Sequence, residues 1–174
     1  MAPAMLRVSV SDGAGGAARA PGLGAWLART APRRVRGEVA VALVGDRRMR
    51  TLNRRYRGVD RATDVLSFAA GSHPRSPADA ADAADAADAA DGGPPGPFLG
   101  DVVIATGVAA RQARAEGHAI GTEYRILALH GLLHLMGYDH ETDGGRMARA
   151  ERRLRRRGGL DRGLLERSRG RVTR

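Results

Sequence analysis

The sequence of 174 residues predicts a single α+β domain in which a four-stranded mixed sheet packs with about five helices. Two observations carry this prediction. Strand-like and helix-like segments follow one another as β-α-β-α-β and then, after a break in composition, as β-α-α-α. The longest apolar segment, from about Gly121 to Met136, is apolar almost all round, which is typical of a central buried helix.

The chain opens with a strand, a helix and a second strand. Residues 4–10 alternate in polarity and end in β-branched residues, which favours a strand. A helix is expected across 17–30, and Pro32 ends it because proline cannot continue a helix. The apolar, alternating residues 38–45 predict the second strand.

A helix and a short strand follow. Asp46 is a good N-cap for a helix that runs to about Tyr56 and ends at Gly58. The β-branched and aromatic residues 65–68 predict the third strand.

After the break, one strand and three helices are expected. The strand covers 98–105, and the next helix covers 106–117 and ends at Gly117. The central apolar helix ends at Gly137, and an arginine-rich helix follows at about 143–157.

The break itself, residues 70–97, is rich in alanine, aspartate and proline and repeats Ala-Ala-Asp across 78–91. Because it offers no large apolar residue to bury, we expect a disordered insert in a loop, whose deletion leaves the fold intact. The domain is therefore assigned to residues 1–157, and residues 158–174 are expected to be a basic, flexible tail.

The charge is strongly positive. Arginine supplies all 29 cationic side chains against 19 acidic ones, for a net charge of +10 and a pI near 11.4. Such a field attracts polyanions, above all nucleic acid, although the complete use of arginine also indicates the bias of a GC-rich genome. Aromatic residues are only 3% of the chain, which argues against a base-stacking platform.

Several classes of site are excluded. With no cysteine, the chain forms no disulfide, thiolate zinc site, iron–sulfur cluster or cysteine nucleophile. Its apolar runs are far shorter than the ~20 residues of a membrane span, and residues 1–10 lack the apolar stretch of a signal peptide. We expect a cytoplasmic protein without a membrane partner.

The most specific motif is HGLLHLMGYDH, residues 130–140. His130 and His134 are four residues apart, so a helix places both imidazoles on one face. Gly137 then allows the chain to turn, so that His140 returns toward the pair. Three neutral imidazoles around one point, with a fourth position open for water, are typical of a catalytic zinc site at the end of the central helix. His118 and His73 are expected to be incidental.

The histidine and glycine spacing also matches the metzincin proteases, but one position departs from it. Those proteases need a glutamate as general base where this chain has Gly131. Asp139 and Glu141, which flank the third histidine, are candidates to orient a ligand imidazole instead. A hydrolase that relies on electrostatic stabilisation therefore fits better than a protease.

A second candidate site is LNRRYRGVDRATDVLSF, residues 52–68. It gathers four arginines whose forked guanidinium groups suit phosphate oxygens: Arg54, Arg55, Arg57 and Arg61. Arginines near the end of a helix are also favoured by its dipole alone, so a solvated helix end remains the other interpretation.

Together with LGDVVIA at 99–105, these motifs resemble the YbeY family of bacterial rRNA maturation endoribonucleases. The resemblance covers roughly residues 38–68 and 98–150. It implies a single-strand-specific endoribonuclease with one Zn²⁺ per chain, acting in 16S rRNA 3′-end maturation and ribosome quality control. Its implied partners are single-stranded RNA or rRNA, the small ribosomal subunit and assembly factors.

By position, His130, His134 and His140 match the family's metal ligands and catalytic residues, and Arg57 matches an arginine of functional importance. The sequence departs from the family in its acidic insert and in Ala69, where proline is common after Phe68. Neither departure touches the histidine motif.

Several alternatives are compatible with the sequence. Three imidazoles also suit nickel, copper or cobalt, and the nucleophile is either water or the RNA 2′-OH. The rival functions are a metallopeptidase-like zinc hydrolase and a non-catalytic ribosome-assembly factor with structural zinc. A fourth protein ligand, such as His118 or Asp139, would favour the structural role.

Overall fold

The computed structural model describes residues 5–71 and 96–160. Four strands lie in these ranges: β1 (Leu6–Ser11), β2 (Gly37–Val44), β3 (Val65–Ala69) and β4 (Phe98–Ala105). Five helices accompany them: α1 (Leu23–Thr30), α2 (Asp46–Arg57), α3 (Thr106–Glu116), α4 (Ile120–Leu135) and α5 (Arg146–Arg157). None of these helices is long and apolar enough to cross a bilayer.

The strands form one mixed sheet in the order β1-β2-β4-β3. Strands β1, β2 and β4 are parallel to one another, with Val41 of β2 opposite Val10 of β1 and Val102 of β4. The edge strand β3 runs antiparallel to β4, with Ser67 opposite Val102. The predicted α+β class and four-stranded mixed sheet are therefore confirmed.

Each face of the sheet is covered by different helices. On one face Val39, Val41 and Ile104 pack against α4, α1 and α5 in the larger core cluster. On the other face, Met49 of α2 packs with Leu66 and neighbouring residues in a smaller cluster. Helix α4 is the predicted central helix, since most of its residues are buried.

Two helices bring their C-terminal ends to the same end of the sheet, where β4 begins. Helix α2 starts beside the C-terminal end of β4, where Asp46 contacts Val108, and it ends where Tyr56 packs against Phe68. Helix α4 passes Val102 at Gly131 and reaches Gly100, at the start of β4, with Leu135. The ends of α2 and α4 therefore lie on opposite faces of one sheet edge.

Two predicted helix starts are too early. Helix α1 begins at Leu23 rather than 17, because the backbone of residues 12–22 is irregular and Gly22 has a left-handed conformation with φ 73°. Helix α5 begins at Arg146 rather than 143, because the Asp143 carboxylate accepts hydrogen bonds from the backbone N–H groups of Gly145 and Met147.

The sequence predicted that Asp46 caps its own helix, α2, and this prediction is wrong. Gly45 is the N-cap of α2, and Asp46 is its first residue. The Asp46 carboxylate instead accepts the backbone N–H of Val108, in the first turn of α3, at 3.0 Å and the Arg111 guanidinium at 2.8 Å. Burial raises the pKa of this carboxyl, but the bonds from Arg111 and Val108 outweigh burial and leave the pKa below its usual value.

The predicted insert at about 70–97 and the tail at 158–174 lie almost entirely outside the described residues. The assignment of residues 1–157 to one domain stays a prediction for that reason.

Candidate metal centre

Two of the three histidines lie one turn apart on the last turns of α4. The Nε2 atoms of His130 and His134 are 3.1 Å from each other, and their ring centroids are 4.8 Å apart. His130 is buried, whereas His134 is half-buried. The four-residue spacing alone produces this pairing, since residues one helical turn apart share a face.

Gly137 turns the chain so that the third histidine joins the pair. The N–H of Tyr138 donates to the carbonyl of Leu133, and the N–H of Gly137 donates to that of His134, which together form a Schellman motif. Gly137 has a φ of 84°, a backbone conformation that residues with a Cβ rarely adopt. His140, which is exposed, returns to place its ring 5.3 Å from that of His134.

The three histidines suit a divalent metal ion. One imidazole nitrogen from each residue lies within 4.8 Å of the other two. Tetrahedral zinc with bonds of about 2.0–2.1 Å needs nitrogen atoms roughly 3.3 Å apart, so the pair on α4 already fits and His140 has only a short distance to close. Among the residues described, no other carboxylate or imidazole belongs to this group, which leaves a fourth position open.

The protonation state of the site also favours a metal. Burial, together with the charges of His130 and His140, lowers the pKa of His134 from 6.5 to about 4. His134 is therefore a neutral imidazole at neutral pH, the form that binds a metal ion.

Glu151 lies behind His130 and was missed by the sequence interpretation. Its Oε1 atom is 3.5 Å from His130 Nδ1, the ring nitrogen on the side away from His134, and both side chains are almost fully buried. His130 Nδ1 makes no hydrogen bond at this separation. A carboxylate that accepts the N–H of a metal-binding imidazole orients the ring and fixes its tautomer, and a small shift of Glu151 would bring it into this contact.

A sequence signal for Glu151 existed. It is the only acidic residue in the arginine-rich helix α5, and it follows Met147 by four residues on the buried stripe of that helix. A charged residue at a core position indicates a buried partner.

The two carboxylates next to His140 form no hydrogen bond with a histidine ring in the described part of the chain, and the orienting role suggested for them stays a prediction. Asp139 accepts the backbone N–H of Glu141 at 3.0 Å and the hydroxyl of Thr142 at 2.9 Å, and these bonds hold the pKa of Asp139 below its usual value. Asp139 therefore shapes the loop, and the Glu141 residue is exposed.

Close packing against the sheet leaves no space for a side chain at Gly131. A Cβ added at this residue would lie 2.5 Å from Cγ1 of Val102 and 3.0 Å from Oγ of Ser67. Ser67 also donates a hydrogen bond of 3.1 Å to the Gly131 carbonyl, which joins α4 to β3. Since α4 touches the sheet here, the glutamate of a metzincin protease has no space at this position.

His118 does not reach the site. Its Nε2 atom is 2.6 Å from Oε2 of the fully buried Glu123, at the start of α4. About 15 Å of helix separates the start of α4 from His130. His118 is thus excluded as a fourth ligand, and His73 lies outside the described residues.

The four candidate arginines differ in their partners. Arg54 lies 3.9 Å from Asp60, which also accepts two hydrogen bonds from the Arg50 guanidinium. Arg55 lies over the Tyr56 ring, 5.2 Å from its centroid. Within residues 5–71 and 96–160, Arg57 and Arg61 form no ion pair, and both are exposed.

Arg57 is the last residue of α2, directly after Tyr56, so it lies at the sheet end toward which α4 carries His134. No contact joins Arg57 to the histidines, and its role stays a prediction.

Fold and site together define an α+β protein with an open three-histidine group suited to a divalent metal. The family described as Endoribonuclease YbeY matches residues 25–157 of the chain. The chain belongs to the YbeY family.

Several curated relatives share that name. The protein from Anaeromyxobacter sp. is 48% identical over 129 residues, which are 73% of this chain and 57% of the relative. The protein from Solibacter usitatus is 44% identical over 141 residues, 78% of this chain and 80% of the relative. The solution structure of TM1509 from Thermotoga maritima shares 20% identity, covers 84% of this chain and 85% of its own, and superposes with a TM-score of 0.47.

Proposed function

We propose that the protein is a zinc-dependent, single-strand-specific endoribonuclease that acts in 16S rRNA 3′-end maturation and ribosome quality control. Its membership of the YbeY family and the histidine group with an open fourth position support this proposal. The partners would be single-stranded rRNA, the small ribosomal subunit and assembly factors, and the location would be the cytoplasm.

Each residue of the site has a defined task in this proposal. His130, His134 and His140 would hold the metal, and Glu151 would orient the His130 ring. Bound zinc would supply Lewis acidity and lower the pKa of a water molecule to about 7. Arg57 would bind the scissile phosphate and offset the negative charge that develops in the transition state.

The absence of a carboxylate at position 131 favours phosphodiester over peptide hydrolysis. A zinc peptidase of the metzincin type needs a base there, and packing against Val102 excludes one. The net charge of +10 also favours a polyanionic substrate.

The test is RNA cleavage by the purified protein on a single strand and on its duplex, with and without a chelator. His134→Ala serves as the control for contaminating ribonuclease. We expect chelator-sensitive cleavage of the single strand only, with none by the variant. Cleavage of casein instead would support a peptidase, and one bound zinc without cleavage above the variant's background would support an assembly factor.

The same assay identifies the nucleophile. Attack by the neighbouring 2′-OH leaves a cyclic phosphate on the product, whereas attack by water leaves a monophosphate and no cyclic product. Mass spectrometry of the RNA fragments distinguishes the two.

Arg57 has a matched control on its own helix. Arg57→Ala should keep zinc and lower the cleavage rate, by about 100-fold if the arginine contacts the phosphate in the transition state. Arg47→Ala removes the same charge from an exposed residue about 15 Å away along α2 and should leave the rate unchanged. Equal rates in both variants would remove Arg57 from the mechanism.

A further inference from the structure

A depression lined by arginines lies beside the loop that carries His140. Its volume is about 260 Å³, and its lining residues are Tyr138, Arg146, Arg149, Ala150 and Arg153. The three arginines are at positions i, i+3 and i+7 of α5, so they share one face of the helix. We call these three residues the α5 arginine patch.

The charges of the patch are not neutralised by the part of the protein that the structure describes. Within it, none of the three arginines pairs with a carboxylate, and Arg149 donates only to the Gly144 carbonyl, at 3.3 Å. Because the three like charges repel one another, an anion in the depression would be attracted to them.

The N-terminus of α5 is not itself the anion site. The Asp143 carboxylate occupies it, with hydrogen bonds of 3.0 Å from the N–H of Gly145 and 2.8 Å from that of Met147. A ligand of the depression would therefore be bound by the arginine side chains, whose forked guanidinium groups each offer two donors to a phosphate.

Tyr138 links the depression to the turn that carries the third histidine. This residue lies between His134 and His140 in the turn that assembles the histidines, and it forms one wall of the depression. Arg34, from the segment after α1, donates to the Tyr138 hydroxyl at 3.3 Å and adds a fourth cation beside the same wall. The depression therefore adjoins the turn between His134 and His140.

We propose that the α5 arginine patch binds the sugar-phosphate backbone of single-stranded RNA on one side of the cleavage position. The inference rests on the proposed function for the class of ligand. Arg146 and Arg153 are about 10 Å apart along the helix axis, which is longer than one phosphate and fits consecutive phosphates of a strand. The patch therefore holds the substrate in register without reading its sequence.

RNA is favoured over an acidic protein segment by position. The depression adjoins the turn that carries His140, so it lies on the side of the protein where a strand bound for cleavage would enter or leave. Phosphodiester groups also match arginine in charge and in geometry.

The test is the salt dependence of RNA binding. A 12-nucleotide single strand is titrated with the patch variant Arg146→Ala/Arg149→Ala/Arg153→Ala in chelator, so that cleavage plays no part. Each phosphate that the variant no longer neutralises should reduce the slope of log K against log salt by about 0.7, so the slope should fall by about 2. At 0.1 M salt, binding should weaken by roughly 10- to 100-fold.

The control variant is Arg19→Ala/Arg47→Ala/Arg48→Ala, which removes equal charge from three exposed arginines, two of them at the start of α2 and far from the histidine end of the sheet. Its binding to RNA should show nearly the same slope of log K against log salt as that of the parent protein. Arg19 is exposed, the other five positions of the two variants lie in helices, where alanine is well tolerated, and circular dichroism verifies the folding of both variants. A second patch variant with three glutamines keeps the side-chain length and should show the same reduction in slope.

The length of the substrate gives a second readout. With zinc present, the patch variant should cleave a 12-nucleotide strand with a raised KM and an unchanged kcat, and a trinucleotide with both unchanged.

The outcomes separate this inference from the proposed function. A reduced slope without any cleavage by the parent would retain the patch and reject the endoribonuclease. Normal cleavage with an unchanged slope in the patch variant would overturn the inference. The inference also fails if the parent protein binds polyglutamate and the patch variant does not, while both bind RNA equally, because the patch then binds an acidic protein segment.

Discussion

Glu151→Gln tests whether a buried carboxylate in α5 supports the metal ligand His130. The substitution keeps the size of the side chain and removes its charge. We expect weaker metal binding, because the amide fills the same space but attracts the His130 Nδ1 proton less.

The structure sets the magnitude of this effect. Two full charges 3.5 Å apart would interact by about 4.7 kcal/mol at an effective dielectric constant of 20, which is an upper limit. The imidazole N–H bears only part of the charge of a bound ion, so the loss of metal-binding free energy should be smaller than this limit. A 10- to 100-fold decrease in affinity, or about 1.4–2.7 kcal/mol, is expected for such a partner.

The assay is competition for zinc with a chromophoric chelator. Glu141→Gln makes the same chemical change at an exposed residue next to His140 and should shift the zinc dissociation constant by less than threefold. If Glu151→Gln binds zinc as the parent does, or if Glu141→Gln weakens binding equally, then the buried carboxylate does not position His130.

Three further substitutions test the packing around the site by thermal or denaturant unfolding. Gly131→Ala should destabilise the fold by about 1–3 kcal/mol, because its Cβ would overlap Val102; an unchanged midpoint would contradict the close approach of α4 to β4. Gly137→Ala, at φ 84°, should cost about 1 kcal/mol and weaken zinc binding, and parent-like zinc affinity would show that the turn does not position His140. Asp46→Ala should remove about 1–2 kcal/mol at pH 7 because the bond to Val108 is no longer made. Because the folded-state pKa of Asp46 is lowered, its charge stabilises the fold above the ordinary pKa of 3.8, and this part of the difference should vanish as the pH falls through the lowered value.

Local features of the sequence were sufficient for most of the fold. Strand β4 begins and ends at the predicted residues, because a segment rich in aromatic and β-branched residues is bounded there by Pro97 and the start of α3. The end of α2 at Gly58 follows from helix termination within the local sequence. The start of α1 was predicted six residues early, since alanine and glycine between 12 and 22 carry no signal for where a helix begins.

The sequence by itself determined the histidine group, because a four-residue spacing on a helix and a glycine turn are local geometry. Only the tertiary structure decided what surrounds it. Glu151 is 21 residues after His130 in sequence, and it reaches the ring only because α5 packs against α4. Asp46 likewise caps a helix 62 residues away because two helices begin at the same end of the sheet. Contacts between distant segments depend on packing of the whole core, which no local pattern encodes.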